Sequence, residues 1–372
     1  MNHTEEQFFA LLRTGLWHTP IDTALFSEET HWDIILKMAT MQTVSGVLFD
    51  GASTLPTDQQ PATALMRKLY QTTLRIEQSH KVLNTAIEQI VPALQREGIR
   101  SILFKGQGVA QNYPNPLRRQ CGDIDLYVGQ KNCKKAMDIL ISIGAKPENK
   151  TKKISPKHEN FDYAGVSLEL HFRAEKLRNP LANPDFQRWT QKHLWAEELQ
   201  VWKNNEVDVH LPPINFDALY IFNHAFHHFI AGGISLRQLC DWMLYLHKFK
   251  DRIDKDELLT DLKTLGMLKP WQTFGCILVH QLGLPQEEFP FYNPEYTKAS
   301  EVVLNKILQV GNFGFYNSEH SKHPSGFLRG KWHSLYVEQR WLSDMFFIFP
   351  KDILFFYINY WRSGIINIIK GR

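Results

Sequence analysis

The chain has 372 residues, long enough for a substantial core and for two or three structural units. Hydrophobic residues make up 43% and charged residues 22%, an ordinary globular composition, and the formal net charge of +3 gives no global electrostatic case for a nucleic-acid binder. Cys121, Cys133, Cys240 and Cys276 have neither CxxC spacing nor a Cys/His repeat, which argues against a structural zinc site and for reduced thiols.

The opening MNHTEEQFFALLRTG places acidic residues where a signal peptide has basic ones, and Arg13 interrupts its apolar stretch. An amphipathic helix is expected there, in a cytoplasmic protein of bacterial economy. Helical periodicity continues to about Asp50, with Phe8, Leu11 and Leu12 on one face and Trp32, Ile35 and Leu36 on another. A Ser/Thr/Pro/Gly-rich loop follows from Gly51 to Pro61. From Ala62 to Glu97 an almost Gly-free run predicts one or two long helices, capped by Gly98.

The pattern then changes. Ile99 to Phe104 predicts a buried strand, Asp123 to Val128 a second, and Lys134 to Ile143 a helix closed by Gly144. His158 to Tyr163 and Val166 to Phe172 predict a hairpin turning at Ala164-Gly165, and Val207 to Leu211 a last strand before Pro212-Pro213. Helices return at Asn215–Ile230, Leu236–Phe249, Leu258–Leu282 and Thr297–Val310. The aromatic tail from Trp341 to Ile369 is broken by Pro350-Lys351-Asp352, so it predicts packed helices or a partner surface rather than a transmembrane span. The expected architecture is α+β: a small mixed sheet over residues 98–213, between an N-terminal helical region (1–97) and a C-terminal helical domain (214–372).

The chemistry centres on Cys121-Gly-Asp-Ile-Asp-Leu-Tyr-Val128. Side chains two apart on a strand share a face, so Asp123 and Asp125 stand side by side while Ile124 and Leu126 face the core. Two adjacent carboxylates raise each other's pKa, and a divalent cation relieves that cost; hard oxygen ligands suit magnesium. Glu169, alternating with Leu168 and Leu170 on a neighbouring strand, adds a third carboxylate, with His171 on its face. Three such groups suffice to hold two ions across a phosphoryl group. Upstream, Phe104-Lys-Gly-Gln-Gly-Val-Ala110 is a strand-to-helix turn whose backbone N–H groups, at Gly106 and Gln107, suit a triphosphate. Lys105, Arg118 and Arg119 supply positive charge.

In that order, these pieces resemble the polymerase-beta-like nucleotidyltransferase superfamily over Leu103 to Phe172. The nearest likeness is to its uncharacterised bacterial nucleotidyltransferase family, through Lys105-Gly106, Arg119, Gly122 to Leu126 and Glu169-Leu170-His171. The resemblance implies that Asp123 and Asp125 bind magnesium, that Glu169 completes the metal site or activates an acceptor hydroxyl, and that Gly106 and its neighbours position an NTP. It extends loosely to Asn223-His224, His227-His228 and Leu236-Arg-Gln-Leu-Cys-Asp241. The sequence departs from the superfamily at Gln107, where a small residue usually stands, and in the long interval from Gly106 to Asp123.

His224 and His228 share a helix face by i,i+4 spacing, as do Arg237 and Asp241. With His171 they form a candidate acceptor pocket; a polar wall of a cleft is the expectation for the histidines ahead of a second metal site. Lys146, Lys150, Lys152, Lys153 and Lys157 predict a solvated loop, and His320, His323 and His333 a surface loop. Transfer of a nucleoside monophosphate from an NTP is the leading expectation. A kinase-like phosphotransferase on the same site, or a non-catalytic nucleotide-binding module with its aromatic C-terminal helices facing a protein partner, are the alternatives.

Overall fold

The structure is a computed structural model that describes residues 1–148, 155–177, 179–180, 182–196, 198–316 and 339–369. Lys150, Lys152, Lys153, His320, His323 and His333 lie outside the described residues.

Helix α1 (His3–Trp17) begins with a capping box in which the Asn2 side chain and Glu5 satisfy each other's backbone N–H. It crosses α3 (Ser45–Ala52) at backbone contact. A Cβ added to Gly15 would stand 2.1 Å from the Val47 carbonyl oxygen, and one added to Gly51 2.0 Å from that of Leu11, so only glycine permits the crossing. Between them lies α2 (Trp32–Met41). The long Ala62–Glu97 run is one helix, α4 (Thr63–Arg96), with Pro92 accommodated inside it. Gly98, at φ 71°, ends it as the sequence predicts. Because Ile99 donates its N–H back to the Leu94 carbonyl, the following strand β1 is only Ile102–Phe104, shorter than the Ile99–Phe104 expected.

A short helix α5 (Gly106–Ala110) leads to β2 (Asp123–Tyr127) and α6 (Gly129–Ser142), followed by β3 (Lys146–Pro147), β4 (His158–Tyr163) and β5 (Val166–His171). The β4–β5 turn falls at Ala164-Gly165, both at positive φ as a tight hairpin requires. After α7 (Asn183–Ala196) come β6 (Gln200–Asn204) and β7 (Val207–Leu211), a second hairpin of which the sequence predicts only β7. The seven strands form one mixed sheet in the order β3-β4-β5-β2-β1-β7-β6. Strand β2 lies at its centre, antiparallel to β1 and parallel to β5.

Alternation along these strands sorts the two faces. Leu103, Ile124, Leu126, Leu168 and Leu170 point to an aliphatic core closed by α4 and α6. Ile102, Phe104 and Tyr127 join a larger aromatic core on the opposite face. That core is filled by α8 (Ile214–Ile230), α9 (Leu236–Phe249), α10 (Lys255–Thr264), α11 (Leu268–His280) and α12 (Thr297–Val310). The expected Leu258–Leu282 helix is split in two by Gly266 at φ 70°. Phe8, Leu11, Leu12 and Leu48 from the N-terminal helices enter the same core as Trp242, Trp271 and Phe274. Hydrophobic packing therefore runs across both positions 97 and 213. The helix α13 (Pro350–Ile369) adds Ile353 and Phe356, and no helix among the described residues is long and apolar enough to cross a membrane.

Candidate active site

Because Ile124 and Leu126 are claimed by the aliphatic core, Asp123 and Asp125 emerge on the other face of the sheet, towards α8. The parallel register sets Asp125 directly beside Glu169 and Tyr127 beside His171. The antiparallel register of β4 sets His158 opposite His171. A cleft of about 450 Å³ opens over this floor, bounded by the β1–α5 turn, the segment before β2, and α8 with α9. Lys105, Asp123, Asp125, Lys157, His158 and Glu169 line one side, and His224, His228, Arg237 and Asp241 the other.

Lys105 is held in an unusual conformation, φ 46°, ahead of Gly106 at φ 45°. A lysine at positive φ is strained, and such strain collects where position matters more than local stability. Its Nζ stands 3.3 Å from Asp125 Oδ2, 3.2 Å from His224 Nε2 and 3.3 Å from His224 Nδ1, so it ties the sheet to α8. The other Asp125 oxygen accepts from His171 Nε2 at 2.9 Å. Glu169 Oε2 lies 3.2 Å from that nitrogen and 2.9 Å from His158 Nδ1.

The charges are unequally served. Burial opposes ionisation of Asp125, but Lys105 and the His171 hydrogen bond outweigh it and hold the carboxyl at about 2. Glu169 is also held below the usual range: burial works against its charge, and the adjoining His158 and His171 prevail. Asp123 has the opposite fate. The Asp125 charge first, and then the crowding of the cleft floor around a side chain that is itself exposed, push it up to about 6. On the far wall, burial and then Lys105 press His224 well below the imidazole range and His228 to about 3, so both rings are neutral at neutral pH.

The remaining sequence-predicted residues have more specific places. Arg119 makes a bidentate pair with Asp241, at 2.7 Å to each carboxylate oxygen, and is almost wholly buried. Tyr113 donates to Asp241 Oδ1 at 2.7 Å as well. Expected in two different roles, Arg119 and Asp241 are thus joined into one ion pair that fixes the β2 approach to α9. Arg118 likewise pairs with Asp50 and Glu77, away from the cleft. Gln107 turns its amide from the cleft to His80 and Asn84 on α4, leaving only its backbone near the turn. His171 is fully buried behind the carboxylates rather than lining an acceptor pocket. Arg237 reaches the cleft, 3.7 Å from Asp241 Oδ2, with its Nε on the Thr43 hydroxyl at 3.3 Å.

Sequence reasoning passes over three residues. Lys157 closes the basic run expected to be solvated, yet it faces the cleft and pairs with Glu175 at 2.9 Å. Glu175 is buried and, although burial opposes its charge, Lys157 holds it at about 2. His158 stands one residue further on. A usable signal exists: Lys157 precedes and His158 opens the alternating strand β4, whose pairing with β5 sets His158 opposite His171.

Three carboxylates on a sheet floor, with Lys105 and Lys157 beside them and Arg237 across the cleft, bring together the donor types that suit a metal ion and a phosphate ester. A family model described as "uncharacterised nucleotidyltransferase" matches residues 28–283, more than half of the chain, and the chain belongs to that family. Neither a curated protein nor a solved structure matches it.

Proposed function

We propose that the chain transfers a nucleoside monophosphate from a magnesium-bound NTP to an acceptor, releasing pyrophosphate, in the manner of polymerase-beta-like enzymes. The observation that carries this reading is the side-by-side placement of Asp125 and Glu169 on parallel strands, with Asp123 two residues away, at the floor of a cation-rimmed cleft. The donor set fits: carboxylate oxygens are the ligands magnesium prefers, and Asp123 in particular bears a charge that Lys105 and Arg237 answer only in part. Bound there by Asp123, Asp125 and Glu169, one or two magnesium ions would supply charge neutralisation for the phosphates.

The chain's own groups divide the remaining work. The Lys105-Gly106 turn brings backbone and a fixed ammonium close to the phosphates, and its strained geometry spares reorganisation during reaction. Lys157 and Arg237 answer the charge that develops on departing pyrophosphate. Neutral His224 and His228, with rings 4.4 Å apart, offer hydrogen-bonding nitrogens to an acceptor hydroxyl without repelling a cation. The test is the product formed from NTP and magnesium: pyrophosphate is expected, and nucleoside diphosphate in its place would make the chain a phosphotransferase. Turnover by Asp125→Asn at the wild-type rate would overturn the assignment.

A further inference from the structure

The floor of the site is chemically uneven. At one end Asp123 and Asp125 present oxygen only. At the other, three donor atoms from neighbouring strands meet: His158, Glu169 and His171 each contribute one, all within 4.8 Å of one another. His158 Nδ1 to Glu169 Oε2 is 2.9 Å and His171 Nε2 to the same oxygen 3.2 Å. Ligands bound to one tetrahedral ion at about 2.1 Å stand roughly 3.4 Å apart, so a few tenths of an ångström of opening would turn these contacts into a coordination shell.

The two rings point the same way. His171 Nδ1 faces the Arg173 carbonyl at 3.4 Å, the outer contact that fixes a ligating histidine's tautomer and aims its other nitrogen at the ion. In the metal-free site that other nitrogen donates to Asp125 at 2.9 Å and lies 3.2 Å from Glu169, so a bound cation would take the place of its proton between the two carboxylates. His158 Nδ1 is buried and close to Glu169 without hydrogen-bond alignment. The rings lie nearly perpendicular, with centroids 4.9 Å apart, which leaves their nitrogens convergent rather than stacked.

From this geometry we infer a second, chemically distinct cation site at His158, Glu169 and His171, selective for a first-row transition ion of the zinc class over magnesium. The two imidazoles are borderline donors that favour such ions, and a single carboxylate beside two histidines is a donor set zinc accepts, whereas magnesium favours the all-oxygen end. Glu169, placed above among the magnesium ligands, would be shared between the two ions, and Asp125, 2.9 Å from the His171 nitrogen, borders both ends. The inference deepens the nucleotidyltransferase reading and rests on it for giving the Asp123–Asp125 end to magnesium. The centre is then mixed, with different ions at its two ends.

The full-length protein, stripped of metal with chelator, is titrated with Zn²⁺ by calorimetry in a large excess of Mg²⁺. One tight equivalent is expected. In His158→Ala the affinity should fall at least about tenfold, the lower end for losing even a supporting group of a metal site, while Asp123→Asn keeps it. Co²⁺ added to the wild type should give the intense visible bands of a low-coordinate site with nitrogen ligands, a readout that needs no variant to fold. Absence of Zn²⁺ binding, displacement by Mg²⁺, unchanged affinity in His158→Ala, or only the weak Co²⁺ bands of six oxygen ligands would each overturn the site. Pyrophosphate release with Mg²⁺ is measured on the same preparation. Release without Zn²⁺ binding overturns the second site alone; Zn²⁺ binding without release overturns the transferase reading alone.

Discussion

Two buried carboxylates, Asp125 and Asp241, sit on opposite sides of the same cleft and are both almost fully enclosed. Asp241 is saturated: Arg119 grips both oxygens, Tyr113 adds a third bond, and Arg237 stands behind. Two guanidiniums and a phenol hydroxyl answer its charge, so the arrangement needs nothing from outside. Asp125 also has two partners, Lys105 and His171, but it shares them with Glu169, His224 and an adjacent Asp123 whose own charge is left poorly answered. The difference teaches how one protein uses the same residue types for opposite purposes. A balanced set holds two segments together; an unbalanced one is poised for a ligand.

Substitutions can break that comparison. The largest effect is expected from Asp125→Asn, which should lower nucleotidyl transfer by about 10³-fold, the order for losing a group that stabilises transition-state charge. Its far-ultraviolet circular dichroism should match the wild type, so the loss is catalytic. Next, Asp241→Ala leaves the Arg119 guanidinium buried without its partner and should cost about 3–5 kcal/mol in urea unfolding. If Asp241→Ala proved harmless to stability while Asp125→Asn unfolded the chain, the contrast between the two acids would be reversed.

A third prediction uses pH. Asp123 takes up a proton near pH 6, higher than an ordinary aspartate, because the Asp125 charge and the crowded cleft floor disfavour its ionised form. Magnesium affinity measured by calorimetry should therefore be level above about pH 7 and fall about tenfold per unit below pH 6. The sign for stability is opposite. In the metal-free protein the raised pKa makes Asp123's contribution fullest below its unfolded pKa, and that contribution is lost as pH rises through about 6. Magnesium should consequently raise the melting temperature more at pH 8 than at pH 5.

The smallest effect concerns Gln107, whose amide bonds to His80 and Asn84 hold α5 against α4. Gln107→Leu should cost about 1–3 kcal/mol of stability by orphaning those partners, yet leave the KM for NTP near wild type. A large rise in KM would return Gln107's side chain to the nucleotide.

The floor of the site was legible because strand periodicity is rigid. Once Ile124, Leu126, Leu168 and Leu170 are recognised as core, the faces of Asp123, Asp125 and Glu169 follow without any tertiary information. The Ala164-Gly165 turn was readable for the same local reason. Strand β6 was not: Gln200-Val-Trp-Lys-Asn204 leaves Val201 exposed at the sheet edge, so its alternation does not announce a buried side. The Arg119–Asp241 pair joins residues 122 positions apart, and nothing in either segment specifies the other. His158 and Lys157 were hidden by their company, since a run of lysines is ordinarily solvated. Only the register of β4 against β5 shows where they point.

The shared aromatic core has a consequence for the order in which the molecule can be made. Arg13 and Trp17 donate to the carbonyls of Gln281 and Leu282, and Gln42 reaches that of Ile307. Helices synthesised first thus wait for partners more than 260 positions away before their hydrogen bonds close. The carboxylate strands are complete before then, and the far wall of the cleft, where Thr43 meets Arg237 from 194 positions away, closes when α9 docks on the N-terminal helices. A nascent chain ending before α8 would carry Asp123, Asp125 and Glu169 and no enclosure for a nucleotide, so the floor of the site is made before its wall.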